Sequence, residues 1–530
     1  MDSLHGGDAG VGKSRSRLTL GSTEGERIGG WYGMPGFFVP LAAPGATPPW
    51  RCDRTSGNLP RGDGGAEAYA FESIPPQDVR ADPARLPSGQ RRCGAIAHAV
   101  TIFRKLADLC RGKLAQNAIA LYGVTFANAI LPLLTVPYLA RVLGPGAWGL
   151  VLFAQTVAVW PAMLVEFGFV YSATREVARH AGEPEKLREI VGGVMACKAG
   201  LSVLGAATGV AFWFAVPAFQ QNPLILLGAL WLAIVQGFSP LWYFQGMQRM
   251  RLAALIEVVC RLLFTISVFF LIKSPEDATR VILYQAVSIT LSLGLSLWLM
   301  QRTVRFTLCG WASAARTLRE GWHFFLFVAV ISLYAKANGF ILGLMIAPAV
   351  VSFYGGPERL MRGFLTFTGP INQVLYPHLA HLVKHDLPEA KKAIRQGTLW
   401  LGAMGVLLGL ALTLGAPWLV RLLFGPGYER AIPVLRVLGL VCPFSALNGV
   451  LGIRWMFPLG HERTYNRIVM VGAVIDVALV LALTPWLQEL GAALALLVTE
   501  MSITVTVFFI LWKMRINPFQ AAAIEAAPAS

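Results

Sequence analysis

From Leu490 to Trp512 the chain reads LGAALALLVTEMSITVTVFFILW, twenty-three residues with one ionisable side chain, Glu500. A helix needs roughly 20 predominantly apolar residues to cross the hydrocarbon core of a bilayer, so this stretch reads as a membrane span. Working back from it, comparable stretches occupy 465–486, 431–458, 396–422, 350–380 and 321–346. Beyond the basic segment 301–320 lie 280–300, 252–273, 223–246, 190–216, 148–174 and 114–140. The eighth of the twelve, 350–380, is the least regular, because Glu358, Arg359, Arg362, Pro370 and Pro377 interrupt it. Composition agrees: 55% of residues are hydrophobic, 14% are charged and the mean hydropathy is +0.57, whereas soluble domains carry about 25% charged residues.

The loops test this map independently, since cytoplasmic loops are enriched in Lys and Arg. One alternating set of loops and ends, from Arg104 and Lys105 through Arg175, Arg249, Arg305, Lys391 and Arg467 to Arg515, holds 22 basic residues. The other set holds five: Arg141, Lys273, Arg280, Arg421 and Arg430. The expectation is a polytopic membrane protein with both termini in the cytoplasm. Residues 1–113 carry 15 basic and 11 acidic groups, which leaves +12 of the formal +16 on the membrane part. The pI of 9.8 therefore reflects topology and anionic lipid rather than nucleic acid.

Residues 1–113 form an extension read as disordered, rich in Gly, Pro, Arg and Asp without helical or strand periodicity, or as the product of a mispredicted start with the true one near residue 100. Within it, Gly7-Asp8-Ala9-Gly10-Val11-Gly12-Lys13-Ser14 matches the phosphate-binding loop pattern. That loop works between a buried strand and a helix, and neither is legible around it, so no ATP is expected. The cysteines Cys52, Cys93, Cys110, Cys197, Cys260, Cys309 and Cys442 lack paired spacing. His378, His381 and His385 share helical spacing, better read as an interfacial face than as a metal site. No cofactor or metal is called for.

Six spans on either side of 301–320 suggest a duplication. Leu143-Gly144-Pro145 before the second span has a counterpart in Ile346-Ala347-Pro348 before the eighth, and Trp242-Tyr243-Phe244-Gln245-Gly246 in Trp455-Met456-Phe457-Pro458-Leu459-Gly460. The expected units are an N-terminal lobe 114–300, a cytoplasmic linker 301–320, a C-terminal lobe 321–515 and a tail 516–530. Parallel repeats of this kind pack about an axis along the membrane normal with the substrate between them. The fold class is thus all-α, with twelve transmembrane helices in two six-helix lobes around a central cavity.

Pro137-Tyr138-Leu139-Ala140-Arg141-Val142-Leu143-Gly144-Pro145 with Trp148-Gly149 resembles the first connection of the polysaccharide transporter family, the Wzx-type O-antigen flippases. Glu166-Phe167-Gly168-Phe169 with Thr174-Arg175-Glu176 fits the same pattern, as do Pro240-Leu241-Trp242-Tyr243-Phe244-Gln245-Gly246 and Pro370-Ile371-Asn372-Gln373-Val374-Leu375-Tyr376-Pro377. The resemblance covers about 114–515. It departs at the long extension and at Gln248, where an acidic residue is common. It implies the multidrug/oligosaccharidyl-lipid/polysaccharide (MOP, MATE-like) exporter fold. It also implies translocation of undecaprenyl-diphosphate-linked oligosaccharide from inner to outer leaflet for O-antigen, exopolysaccharide or capsule assembly. Membrane lipids, a polysaccharide polymerase and a chain-length regulator are the implied partners. Rival readings are a peptidoglycan-precursor flippase, a cation-coupled multidrug antiporter of the same fold, and a membrane-embedded polymerase. The short outer loops speak against the polymerase, and no bond-breaking chemistry is expected.

A diphosphate and a glycan need cations and hydrogen-bonding groups facing a cavity. A charge at the bilayer centre costs roughly 2.5–3.5 kcal/mol on insertion scales, so candidates are few. Lys336, with Asn338 nearby, reads as a cavity cation or as half of a structural ion pair. Arg359 and Arg362 share a helix face at i, i+3, suited to gripping phosphate oxygens or to pairing with acids such as Glu358. Lys198 and Arg454 are cavity candidates or snorkelling side chains. Glu257 and Arg261, at i, i+4, most simply neutralise one another. Glu166, Asp476 and Glu500 are candidates for ion coupling or for structural hydrogen bonds. Trp148, Trp242, Trp418 and Trp512 read as interfacial anchors, and Pro132, Pro137, Pro240, Pro370, Pro377 and Pro443 as sites of kinks or breaks.

Overall fold

The computed structural model describes residues 113–305 and 311–519. The phosphate-loop lookalike, the expected extension up to residue 112, the middle of the linker, the tail beyond 519 and Cys52, Cys93, Cys110 and Cys309 lie outside the described residues.

Every regular element among the described residues is helical. One lobe comprises α1 (Lys113–Glu166), α2 (Phe169–Arg179), α3 (Pro184–Ala215), the short α4 (Pro217–Gln221), α5 (Pro223–Gly237), α6 (Leu241–Gly246), α7 (Met250–Leu271) and α8 (Ala278–Thr303). The other comprises α9 (Trp311–Met345), α10 (Pro348–Thr366), α11 (Gly369–His385), α12 (Leu387–Leu423), α13 (Ala431–Asn448) with a π-helical continuation Gly449–Met456, and α14 (Glu462–Lys513). Pro184, Pro217, Pro223 and Pro348 open their helices, where the missing N–H costs nothing and the fixed φ favours the first turn.

Among the described residues, eight helical runs are long and apolar enough to cross a membrane, or nine if the two arms of α9, bent by 65° between Val330 and Ala335, count as one crossing. Two of the helices are too long for a single crossing. At 1.5 Å per residue, 54 residues in α1 and 52 in α14 extend about 80 Å, well over twice the hydrocarbon thickness. Each is broken where one crossing hands over to the next. In α1 the break is Gly144, with φ 70° and ψ 173°, a conformation open to glycine and followed by Pro145. In α14 it is Gln488, with φ 49° and ψ −126°, just past Pro485. The first two and last two expected spans fall on these helices, so the architecture is consistent with twelve. The expected eighth span divides into α10 and α11 at Phe367–Thr368.

The breaks fall at corresponding places in the two halves. The second crossing stops at Glu166 and restarts at Phe169, as the eighth stops at Thr366 and restarts at Gly369. The fourth is broken between α5 and α6, and the tenth gives way to a π-helix. The paired tryptophans Trp242 and Trp455 are both buried beside these irregular segments. Pro132, Pro137 and Pro443, by contrast, sit inside continuous helix, whereas Pro240 and Pro370 mark breaks.

The lobes meet at both ends. At the end of Leu143–Trp148, α1 and α10 touch backbone to backbone: a Cβ on Gly149 would stand 1.9 Å from the Pro348 carbonyl oxygen. There Tyr428 donates to the Ala140 carbonyl at 3.1 Å, and Arg141 donates to the Leu422 carbonyl. At the basic-loop end, Phe167 stacks on Phe325 with centroids 4.6 Å apart, and the Cys197 thiol donates to the Ala314 carbonyl at 3.1 Å. The lipid-facing surface is apolar, as along α7, where Leu252, Leu255, Leu262, Leu263, Ile266 and Phe270 are exposed.

Candidate functional site

A cavity of about 640 Å³ lies between the α1, α5–α8 side of the first lobe and α10 of the second. Its chemistry comes from polar faces of otherwise apolar helices. On α8, Gln285, Ser288, Ser292 and Ser296 fall at i, i+3, i+7 and i+11, a single stripe. On α7, Glu257 and Arg261 occupy the face opposite the lipid-exposed leucines. On α10, Arg359, Arg362 and Thr366 form the third wall, with Gln155 of α1 between walls.

The i, i+3 spacing sets Arg359 and Arg362 side by side, but their partners differ. Arg359 donates to Gln155 Oε1 at 2.6 Å, Gln155 donates to Gln285 Oε1 at 2.7 Å, and the guanidinium lies 5.6 Å from the Trp148 ring centre. Arg362 pairs with Glu358 at 2.7 Å and donates to the Ala335 carbonyl at 3.1 Å. Ala335 lies at the bend of α9, so Arg362 satisfies a carbonyl there while its other side lines the cavity. The next residue, Lys336, is exposed rather than packed, and its electrostatic neighbours are Arg362, Glu358 and Arg359. Three cations thus converge on one carboxylate, an excess of positive charge that favours an anionic guest.

The other cations lie elsewhere. Lys198 is wholly buried and donates to the Gly237 carbonyl at 2.6 Å and to the Ser239 carbonyl at 3.3 Å. It closes the C-terminal end of α5, where a cation is favoured. Arg454, buried on the π-helix, donates to the Gly449 carbonyl.

The three acids differ as sharply. Glu166 accepts from the backbone N–H of Gly168 at 2.9 Å and of Val170 at 2.7 Å. It caps the start of α2, as carboxylates do at helix N-termini. Glu500 accepts from Asn448 at 3.3 Å, and Asn448 accepts from Tyr465 at 3.0 Å. Asp476 is wholly buried, and neither carboxylate oxygen has a hydrogen-bond partner among the described residues. Asn338, Tyr354 and Thr499 stand around it from α9, α10 and α14, each with a buried oxygen that is likewise unpartnered. The structure thereby moves Asn338 from the Lys336 cluster to Asp476.

Trp148 and Trp242 are 1% exposed and belong to the interior rather than to an interfacial belt. Trp418 and Trp512 are exposed, as anchors are. His381 and His385 stack with ring centres 4.5 Å apart. The residues that sequence reasoning passed over are Gln155, Gln285 and the serine stripe. The signal for the stripe was its helical spacing within an apolar span; nothing marked Gln155.

The model of the polysaccharide biosynthesis protein family matches residues 114–383. The chain is 27% identical over 393 residues to the "Putative O-antigen transporter" of Escherichia coli (strain K12), covering 74% of this chain and 95% of that one. It is 24% identical over 315 residues to "Amylovoran biosynthesis protein AmsL" of Erwinia amylovora, covering 58% and 79%. Among solved structures, "Lipid II flippase MurJ, inward closed conformation" superposes with a TM-score of 0.59 at 12% identity, covering 75% of this chain and 87% of that one. At that identity the likeness is one of fold.

Proposed function

Because the chain belongs to the polysaccharide biosynthesis protein family, we propose that it is a flippase carrying undecaprenyl-diphosphate-linked oligosaccharide from the inner to the outer leaflet of the inner membrane. The observation that carries this reading is the cluster of Lys336, Arg359 and Arg362 around Glu358, with the two arginines lining a cavity of hydroxyls and amides. The guanidinium fork matches phosphate oxygens, the amides and hydroxyls suit a glycan, and a polyprenyl tail can remain in lipid. The lysine and arginine bias of the loops orients both termini to the cytoplasm. The volume falls within the range of small-molecule sites, ~300–1,000 Å³, and a polymerase and chain-length regulator would act after the flippase. A cationic drug would meet three cations, which disfavours the antiporter reading.

Asp476 supplies the coupling. A buried carboxylate with no ion-pair partner among the described residues is costly when ionised, so in this reading it takes up a proton or a cation, and its access changes as the lobes rock. The test is the lipid-linked glycan pool in a strain lacking the gene, complemented with wild type or Lys336→Ala. Undecaprenyl-diphosphate oligosaccharide should accumulate and clear with wild type alone. Without accumulation the flippase reading falls, and clearance by both forms returns Lys336 to a structural role.

A further inference from the structure

On α7 one face is lipid-exposed leucine, isoleucine and phenylalanine, and the other carries Glu257 and Arg261 into the cavity. Two charges that served only to neutralise each other would be packed together at short range. Here the Arg261–Glu257 contact is 3.5 Å, at the outer limit of a hydrogen bond, and about a third of each side chain stays accessible, 35% and 33%. That contact is the single hydrogen bond shown for either side chain among the described residues, so most of five guanidinium donors and four carboxylate lone pairs remain open. The pair also adjoins the polar stripe of α8: Ser288 donates to the carbonyl of Cys260, next to Arg261, at 2.6 Å. From that stripe Gln285 runs through Gln155 to Arg359. Polar groups of α8 thus line the same cavity as the cationic α10 wall and the Glu257–Arg261 pair.

Resting on the flippase reading above, we infer that Glu257 and Arg261, flanked by Gln285 and Ser288, form a sugar subsite that takes neighbouring hydroxyls of the pyranose attached to the diphosphate. A carboxylate that accepts from hydroxyls beside a guanidinium that donates to them suits a neutral hexose or N-acetylhexosamine. The same carboxylate repels a diphosphate and so directs the anionic end of the cargo to α10. The pair thus fixes orientation as well as affinity.

The experiment measures binding to the purified full chain of undecaprenyl diphosphate, bare or bearing N-acetylglucosamine or galactose. Wild type should bind a sugar-bearing lipid more tightly than the bare one. Glu257→Ala/Arg261→Ala, which removes both charges together, should lower that affinity about ten- to hundredfold, the scale of hydrogen bonds to charged groups, with the bare lipid unaffected. Arg261→Lys keeps the charge without the fork and should give an intermediate loss; it tests the subsite even if the double variant misfolds. Equal binding of bare and sugar-bearing lipid by wild type, or equal weakening of both by the variants, overturns the subsite alone. Failure of wild type to bind any of the three overturns the flippase reading along with it.

Discussion

Arg359 donates to Gln155, and Gln155 in turn donates to Gln285, so one amide fixes the guanidinium and ties α10 to α8. Gln155→Leu removes the acceptor and leaves the fork free to turn, and affinity for undecaprenyl diphosphate should fall about tenfold. Gln155→Glu should do worse, since a carboxylate at that position would neutralise Arg359 before any phosphate arrived. Titration of each purified variant checks both, and tighter binding by Gln155→Glu would show that the anion does not sit on Arg359. Residues at this scale were unevenly legible. Lys336, Arg359 and Arg362 stand out because a charge within a span is expensive. Lys198 and Glu166 stand out for the same reason, but their partners are backbone groups freed where helices stop. Those stops depend on tertiary placement, so sequence cannot separate such caps from cavity charges. Gln155 carries no charge and has no polar neighbour at helical spacing that would announce it.

Helices were legible where hydropathy alone defines them, and breaks were legible only where glycine and proline coincide. Gly144 before Pro145 and Gly369 before Pro370 are written in the sequence, whereas Gln488 at φ 49° and the π-helical turn Gly449–Met456 are imposed by packing. Two glycines define how the lobes close. Gly168 has φ +72°, and a Cβ there would lie 2.7 Å from the Phe324 backbone. Gly168→Ala therefore combines left-handed strain, about 1–2 kcal/mol, with overpacking of about 1–3 kcal/mol, both borne at the basic-loop end. Amide exchange across 322–327 should accelerate while that across 348–356 keeps its wild-type rate. Gly149→Ala, which drives a methyl into the Pro348 carbonyl, should give the reverse pattern. If both substitutions loosen both segments equally, the two closures are not separate elements.

Across the whole molecule, the closures lie at opposite ends of the cavity, and the charges divide between two centres. Arg359 and Arg362 line the cavity with Lys336 beside them; Asp476, with Asn338, Tyr354 and Thr499, is a separate buried cluster inside the second lobe. The two are neighbours through shared helices. Lys336 and Asn338, two residues apart, both follow the bend of α9, and Tyr354 lies about one turn before Glu358 on α10. On the proposed flippase reading, α9 and α10 are the route by which a change in the charge state of Asp476 would reach the cargo cations without touching the cargo. Asp476→Asn holds the site permanently neutral and nearly isosteric. The purified variant should bind undecaprenyl diphosphate within about twofold of wild type, well inside the scatter of a neutral hydrogen-bond change. In proteoliposomes its flipping should no longer respond to an imposed proton or sodium gradient. Glu500→Gln, which alters a hydrogen-bonded pair with Asn448, should lower thermal stability and leave the gradient response in place. A gradient response preserved in Asp476→Asn would remove this carboxylate from the coupling mechanism and leave the rocking of the lobes driven by the cargo itself.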